Sequence, residues 1–146
     1  MRKHTIIEVA AALVFRNEKI LIARRPSGVH LAGLWEFPGG KREQGESFES
    51  CLQREIWEEL DCGITVGSLV FRNVHSYSEK TVDIRFYHCT LTQGEPRAIE
   101  CDALRQIVDS DPIFHEICAT KATKGNVATS IPRSPADYAA PLQPSS

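Results

Sequence analysis

Residues 39–64 read GGKREQGESFESCLQREIWEELDCGI and contain the strongest periodic pattern of the chain. Apolar residues recur at every fourth position, namely Phe48, Leu52, Ile56 and Leu60. This spacing places the apolar side chains on one face of an α-helix. Ser47 is suited to the N-cap, and Asp61 with Gly63 supplies a stop signal. The pattern therefore predicts an amphipathic helix over residues 47–60.

The same segment predicts a strongly acidic helix face. Glu55, Glu58 and Glu59 stand at i, i+3 and i+4, so their side chains share one side of the helix. Like charges at this spacing destabilise an isolated helix by about 0.2–0.5 kcal/mol per pair. A hard divalent cation such as Mg²⁺, which binds carboxylates and bridges to phosphates, would reverse that sign. The alternative is a solvated acidic surface without a ligand.

The rest of the chain reads as strands on both sides of this helix. Residues 6–15 and 20–23 are typical of a hairpin, and residues 34–37 of a short strand that ends at a Pro-Gly-Gly turn. Two longer strands are predicted at 64–74 and 81–92, a last strand at 103–108, and a short helix at 111–118. This order indicates an α+β fold with a mixed sheet rather than a regular βαβ alternation.

Composition narrows the class of protein. The 146 residues are enough for one ordinary domain, which we expect to span residues 1–119, followed by an Ala/Ser/Pro-rich and poorly ordered tail at 120–146. A net charge of −2 argues against a nucleic-acid polymer as partner. Five cysteines without a C-x-x-C pair indicate reduced thiols. No signal peptide or membrane span is expected, and a cytoplasmic location is predicted.

The charged residues of this segment resemble the signature of a known family. The pattern G-x5-E-x7-R-E-U-x-E-E-x-G-U, in which U is apolar, is the Nudix box. Its slots are occupied here by Gly40, Glu46, Arg54, Glu55, Ile56, Glu58 and Glu59. The preceding run, residues 34–41, is similar to that of MutT-like members, and the resemblance covers residues 6–108. Asp61 and Cys62 depart from the glycine and apolar residue of the box, and Gln106 stands where relatives often have tryptophan.

The resemblance implies an α/β/α sandwich with a mixed central sheet and a magnesium-dependent hydrolase, in which Mn²⁺ can substitute. It implies metal ligation by the Gly39 carbonyl, Glu55, Glu58, Glu59 and Glu100. It implies a catalytic group of Glu55, Arg54 and Glu46, with Glu55 as the candidate for activating water. It implies nucleotide contacts from Arg25, His30, Glu36, Phe37, Pro38, Gly39, Lys41 and Asp137. For Phe37, a core position is an equal alternative.

The expected reaction is hydrolysis of a nucleoside triphosphate, such as 8-oxo-dGTP or another (d)NTP, to a monophosphate and pyrophosphate. Two alternatives stay open at this point. One is a dinucleoside polyphosphate or ADP-ribose hydrolase, and the other is a non-catalytic nucleotide-binding module of the same family. The expected assembly is a monomer or a homodimer without a membrane partner.

Overall fold

The computed structural model describes residues 3–29 and 32–121. Within them lie seven strands and two helices, which are β1 (Thr5–Arg16), β2 (Lys19–Arg24), β3 (Trp35–Glu36), β4 (Gly39–Lys41), α1 (Phe48–Leu60), β5 (Gly63–Ser76), β6 (Lys80–Gln93), β7 (Ala103–Ile107) and α2 (Pro112–Lys121). The predicted helix and strands are all found, with ends that differ by a few residues. The predicted tail at 120–146 lies outside the described residues, apart from the end of α2.

All seven strands belong to one mixed sheet. The order along the main path is β3-β2-β1-β6-β5. Strand β1 pairs with β6 in parallel over eleven residue pairs, from Thr5↔Lys80 to Phe15↔Thr90, whereas the other pairings are antiparallel. Strands β4 and β7 extend the sheet by pairing with β1 and β2. The mixed sheet agrees with the predicted α+β class.

The two helices cover opposite faces of the sheet. Because successive side chains of a strand point to opposite faces, β1 contributes to two separate cores. On one face Ala10, Ala12 and Val14 pack with the buried residues of α1. On the other face Leu13 packs with Phe114 and its neighbours in α2. The architecture is therefore the expected α/β/α sandwich.

Helix α1 begins and ends as its sequence predicts. The side chain of Ser47 accepts a hydrogen bond from the Ser50 N–H at 3.0 Å, which satisfies one of the free donors of the first turn. Asp61 ends the helix in the left-handed conformation, with φ 54° and ψ 41°. Cys51, Leu52, Ile56 and Leu60 are fully buried in the core. Burial of each large side chain of this stripe contributes roughly 1.5–3 kcal/mol.

One local expectation was wrong. Gly39 and Gly40 do not form a flexible turn but belong to β4, which pairs with Val9, Ala10 and Ala11 of β1. Backbone pairing in the sheet therefore overrides the local preference of the glycines.

The five cysteines of the chain are free thiols, four of them buried, which agrees with the expectation that they are reduced. None of the helices in the described part of the chain is long and apolar enough to span a membrane.

Candidate functional site

Arg54 is the centre of the ionic network on α1. Its Nε and Nη2 atoms donate to the two carboxylate oxygens of Glu46 at 2.7 and 2.9 Å. Its Nη1 atom donates to Glu55 at 2.9 Å and to Glu58 at 3.3 Å. These hydrogen bonds hold the pKa of Glu46 at about 2 and raise that of Arg54. Glu46 thus folds back to Arg54 as expected, and one guanidinium orients two carboxylates of the acidic face.

Glu55 is half-buried between α1 and β4. Its carboxylate lies against the backbone of Gly40, at a point where a Cβ atom would overlap with it. Burial raises the pKa of Glu55 despite the hydrogen bond from Arg54. The nearby thiol of Cys51 donates to the carbonyl of Gly40 at 3.7 Å. The helix and the strand therefore enclose this carboxylate from two sides.

Glu59 is the carboxylate of the site whose ionised form is most strongly disfavoured. Burial raises its pKa to about 8, and the neighbouring carboxylates of Glu55, Glu36 and Glu100 add to this effect. Among the residues that the structure describes, no basic side chain forms an ion pair with Glu59. Four carboxylates thus converge on a partly desolvated position that favours either a proton or a cation.

The chemistry of these donors fits a hard divalent cation. Carboxylate oxygens are the ligands that Mg²⁺ and Mn²⁺ prefer, and a cation would offset the repulsion around Glu59. Glu58 is exposed and is held by Arg54, whereas Glu55 and Glu59 face inward. Across residues 3–29 and 32–121, no three acidic, histidine or cysteine side chains already form a compact ligand set. Binding of an ion by several of these glutamates would therefore require their side chains to rotate.

Glu100 lies next to Glu59 at the end of α1. Its backbone N–H donates to the carbonyl of Glu59 at 3.3 Å. Glu36 was not expected near the metal ligands, yet it contributes to the raised pKa of Glu59. It reaches this position because β3 pairs with β2, with Glu36 opposite Ala23. Sequence spacing carries no signal for that proximity.

The residues expected to bind the nucleotide fall into four groups, the last of which is residues 37–39. Arg25 forms an ion pair with Glu36 at 3.3 Å, beside the acidic cluster. Lys41 is exposed on β4, and its carbonyl accepts a hydrogen bond from Arg54 at 3.3 Å. His30 and Asp137 lie outside the described residues.

Phe37 and Pro38 are buried, which resolves an alternative that the sequence left open. The ring of Phe37 is 1% exposed and packs edge-on against the rings of Phe86 and Phe114 at 6.1 and 5.8 Å. This position is a correction to the expected contact between its ring and a base. The carbonyl of Pro38 accepts a hydrogen bond from the Ala12 N–H at 2.8 Å. Gly39 is only partly buried but lies close to β1, because a Cβ atom there would stand 2.9 Å from the Cα atom of Ala11.

Trp57 does not pack as its place at the edge of the apolar face suggests. The side chain is 52% exposed and lines a shallow groove of about 440 Å³ with Gln53, Gly63 and Gln93. This groove lies on the side of α1 that faces the start of β5. Arg54 and Glu58 also line it, so the groove borders the ionic network on α1.

Two known proteins are similar to this chain in sequence. The CTP pyrophosphohydrolase of Escherichia coli (strain K12) is 41% identical over 99 residues, which are 68% of this chain and 73% of that protein. The putative 8-oxo-dGTP diphosphatase 2 of Mycobacterium tuberculosis (strain ATCC 25618 / H37Rv) is 33% identical over 123 residues, or 82% and 84% of the two chains.

Two solved structures are similar to this chain in fold. The solution structure of the E. coli ORF135 protein has a TM-score of 0.68 at 32% identity, covering 84% of this chain and 96% of that one. The crystal structure of a MutT NUDIX hydrolase from Burkholderia pseudomallei has a TM-score of 0.68 at 26% identity, covering 82% and 99%. A family model described as the NUDIX domain matches residues 10–112. The chain therefore belongs to the Nudix family and is a hydrolase of phosphoanhydride bonds.

Proposed function

We propose that this protein hydrolyses a nucleoside triphosphate to a nucleoside monophosphate and pyrophosphate, in sanitation of the nucleotide pool. The proposal rests chiefly on one observation. The Glu55 carboxylate is enclosed between Gly40 and Arg54, beside the buried carboxylate of Glu59. This arrangement is suited to accepting a proton from water next to a cation that holds a diphosphate.

Each residue of the site has a separate part in the proposed mechanism. Glu55 accepts the proton of the attacking water, since burial raises its pKa towards that of a useful base. Arg54 keeps Glu55 and Glu58 in place and is itself held by Glu46. Water attacks one phosphorus, a P–O–P bond breaks, and the leaving oxygen takes a proton from solvent. Glu55 therefore orients the water and accepts its proton, while Arg54 and Glu46 hold Glu55 in position.

Glu55, Glu58, Glu59 and Glu100, with the Gly39 carbonyl, would hold Mg²⁺ or Mn²⁺. The bound ion supplies charge neutralisation for the diphosphate and acidifies water. When the four glutamates are ionised, their negative charges would repel a polyphosphate without such a cation. Arg25, on the strand side of the cluster, is the candidate for a phosphate contact.

The proposed substrate class is an oxidised guanine triphosphate or a cytidine triphosphate. Its support is the names of two relatives, a CTP pyrophosphohydrolase and a putative 8-oxo-dGTP diphosphatase. The net charge of −2 is consistent with a small phosphorylated substrate rather than a polymer. We also propose a cytoplasmic location, because free thiols are typical of reducing compartments.

The test is a hydrolysis screen with Mg²⁺ in ¹⁸O-labelled water. The substrates are CTP, dCTP, dGTP, 8-oxo-dGTP, ADP-ribose and a diadenosine polyphosphate. We expect monophosphate and pyrophosphate from a triphosphate, and the position of the label identifies the phosphorus that water attacks. Turnover of ADP-ribose or the dinucleotide alone would contradict the proposed substrate class.

Two variants complete the screen. Glu55→Gln keeps the shape of the side chain but cannot accept a proton, and we expect a loss of at least a hundredfold in kcat. Glu49→Gln is the matched control, because Glu49 is an exposed glutamate in the first turn of the same helix. Parent-like rates for Glu55→Gln would remove the proposed base.

A further inference from the structure

The loop of residues 94–102, which connects β6 to β7, crosses the C-terminal end of α1. The Arg97 N–H donates to the carbonyl of Leu60 at 2.8 Å. The N–H groups of Ile99 and Glu100 both donate to the carbonyl of Glu59, at 3.0 and 3.3 Å. The last carbonyls of a helix have no partner within the helix, so the loop supplies those partners. Glu100 is therefore joined to Glu59 through the main chain.

The two ends of this loop are tied to the sheet. Glu95 accepts two hydrogen bonds from the guanidinium of Arg16 in β1, both at 2.6 Å. Asp102 forms an ion pair with Arg24 of β2 at 3.1 Å, and its N–H donates to the Arg24 carbonyl at 2.9 Å. With both ends anchored, the middle of the loop determines where Glu100 stands relative to the helix.

The middle of the loop meets Asp61, at the position where the Nudix box has glycine. Asp61 adopts the left-handed conformation, for which glycine is the most favourable residue. Its Oδ2 atom accepts a hydrogen bond from the Nη1 atom of Arg97 at 3.3 Å. The last turn of α1 contains no basic residue, so Arg97 brings a cation to the negative end of the helix dipole. A glycine at position 61 would offer Arg97 no carboxylate.

From these contacts we infer that Asp61 and Arg97 are positioning residues for Glu100. This inference rests on the proposed function, in which Glu100 helps Glu59 to hold the divalent cation. Loosening the contact between Asp61 and Arg97 lets the loop move relative to the helix end. The Glu100 carboxylate then spends less time beside Glu59, and the affinity for the cation falls while the fold persists.

The decisive variant is Asp61→Gly in the full chain. We expect its melting temperature to equal or exceed that of the parent, because glycine adopts the left-handed conformation more readily. We expect the Mn²⁺ dissociation constant, from titration of free Mn²⁺ by electron paramagnetic resonance, to rise about two- to fivefold, as for other exposed ion pairs. Amide hydrogen exchange in residues 95–102 should accelerate. A purely structural role would instead lower the melting temperature.

Further variants separate the possible outcomes. Asp61→Asn keeps an acceptor oxygen and tolerates the same backbone conformation, so it should restore Mn²⁺ affinity. Arg97→Ala should match Asp61→Gly and add nothing in the double variant. Arg105→Ala is the control, because Arg105 pairs with Asp111 at a similar 3.4 Å and not with the end of α1. An unchanged dissociation constant in Asp61→Gly, or additive effects in the double variant, would overturn the inference.

Glu100→Gln distinguishes this inference from the proposed function. If Glu100→Gln weakens Mn²⁺ binding and Asp61→Gly does not, Glu100 is a ligand and the positioning role is rejected. If Glu100→Gln leaves Mn²⁺ binding unchanged, the assigned metal role of Glu100 is wrong, and the positioning role fails with it. If both variants weaken binding and the loop exchanges faster in Asp61→Gly, the inference is supported.

Discussion

The carboxylate of Glu55 occupies the space that a side chain at position 40 would need. A Cβ atom on Gly40 would stand 2.6 and 2.7 Å from the two carboxylate oxygens of Glu55. Such distances are shorter than any van der Waals contact between these atoms, so one group would have to move. The glycine of the box is thus required by the position of the carboxylate and not by a turn in the backbone.

We therefore expect Gly40→Ala to displace Glu55 while the sheet is retained, and kcat to fall at least tenfold. Steady-state kinetics with circular dichroism checks both parts. Gly63→Ala is the control, since its Cβ atom would lie 3.1 Å from the Cβ atom of Gln93 and would contact none of the acidic residues of the site. A Gly40→Ala enzyme with parent kinetics would show that the carboxylate can act from elsewhere.

Arg54→Lys should lower kcat about tenfold or more. Lysine keeps the positive charge but cannot bond Glu46 through two nitrogens while also reaching Glu55. Arg72→Lys is a matched control, because Arg72 holds Asp83 in a similar two-point contact at 2.9 and 2.7 Å away from the site. Equal losses in the two variants would indicate that general destabilisation is the cause.

Glu59→Gln should remove most of the stabilisation that Mg²⁺ gives to the fold. A ligand at a hundred times its dissociation constant stabilises the native state by about 2.7 kcal/mol. Differential scanning fluorimetry with increasing Mg²⁺ should show a rise in melting temperature for the parent and for Glu49→Gln, but little for Glu59→Gln. The same rise in all three proteins would place the ion at another site.

Phe37→Leu should reduce stability without changing substrate affinity. The ring packs between Phe86 and Phe114, so its replacement leaves a small cavity and lowers the free energy of unfolding by about 1–2 kcal/mol. Denaturant unfolding and the KM for the best triphosphate are the two measurements. A KM raised tenfold with unchanged stability would restore a direct contact between this ring and the base.

Asp83 should make the fold sensitive to acid. Burial raises the pKa of Asp83, but hydrogen bonds from Arg72 and Arg85 outweigh it, so the pKa lies below its ordinary 3.8. The carboxylate therefore contributes stability above the pKa of the unfolded chain, and this contribution is lost as the pH falls through the lower folded pKa.

Asp83→Asn should accordingly reduce the free energy of unfolding by about 1–3 kcal/mol at pH 7. The difference from the parent should shrink below about pH 3.8. Urea titrations at a series of pH values measure this dependence. A constant difference between the two proteins down to about pH 2 would contradict it.

Helix α1 could be predicted in full because its determinants are local. The apolar stripe, the Ser47 cap and the left-handed Asp61 all act within a few residues of the chain. Six of the seven described strands were also predicted closely, because β-branched runs between polar turns are local signals, whereas β4 was expected to be a turn. The hairpin of β1 with β2 was predicted as well. The parallel pairing of β1 with β6 was not, since it joins residues about 75 positions apart.

The residues of the site were also predicted only where the signal is local. The spacing of Arg54, Glu55, Glu58 and Glu59 was sufficient to group them on one helix face. It could not show that Glu36 approaches Glu59, because that contact depends on the pairing of β3 with β2. Nor could it choose between core and ligand contact for Phe37, since the choice depends on the packing of α2.

By itself the sequence determined one capped helix and the grouping of Arg54, Glu55, Glu58 and Glu59 on it, because helical spacing and capping act over short distances. The class of reaction followed from the resemblance to the Nudix box. The tertiary structure alone decided that the Glu55 carboxylate lies against Gly40. It also decided that Glu36 and Glu100 lie near Glu59, and that Asp61 contacts Arg97. Those relationships depend on strand pairing and on a loop that crosses the helix end. They arise only when distant segments of the chain are packed together.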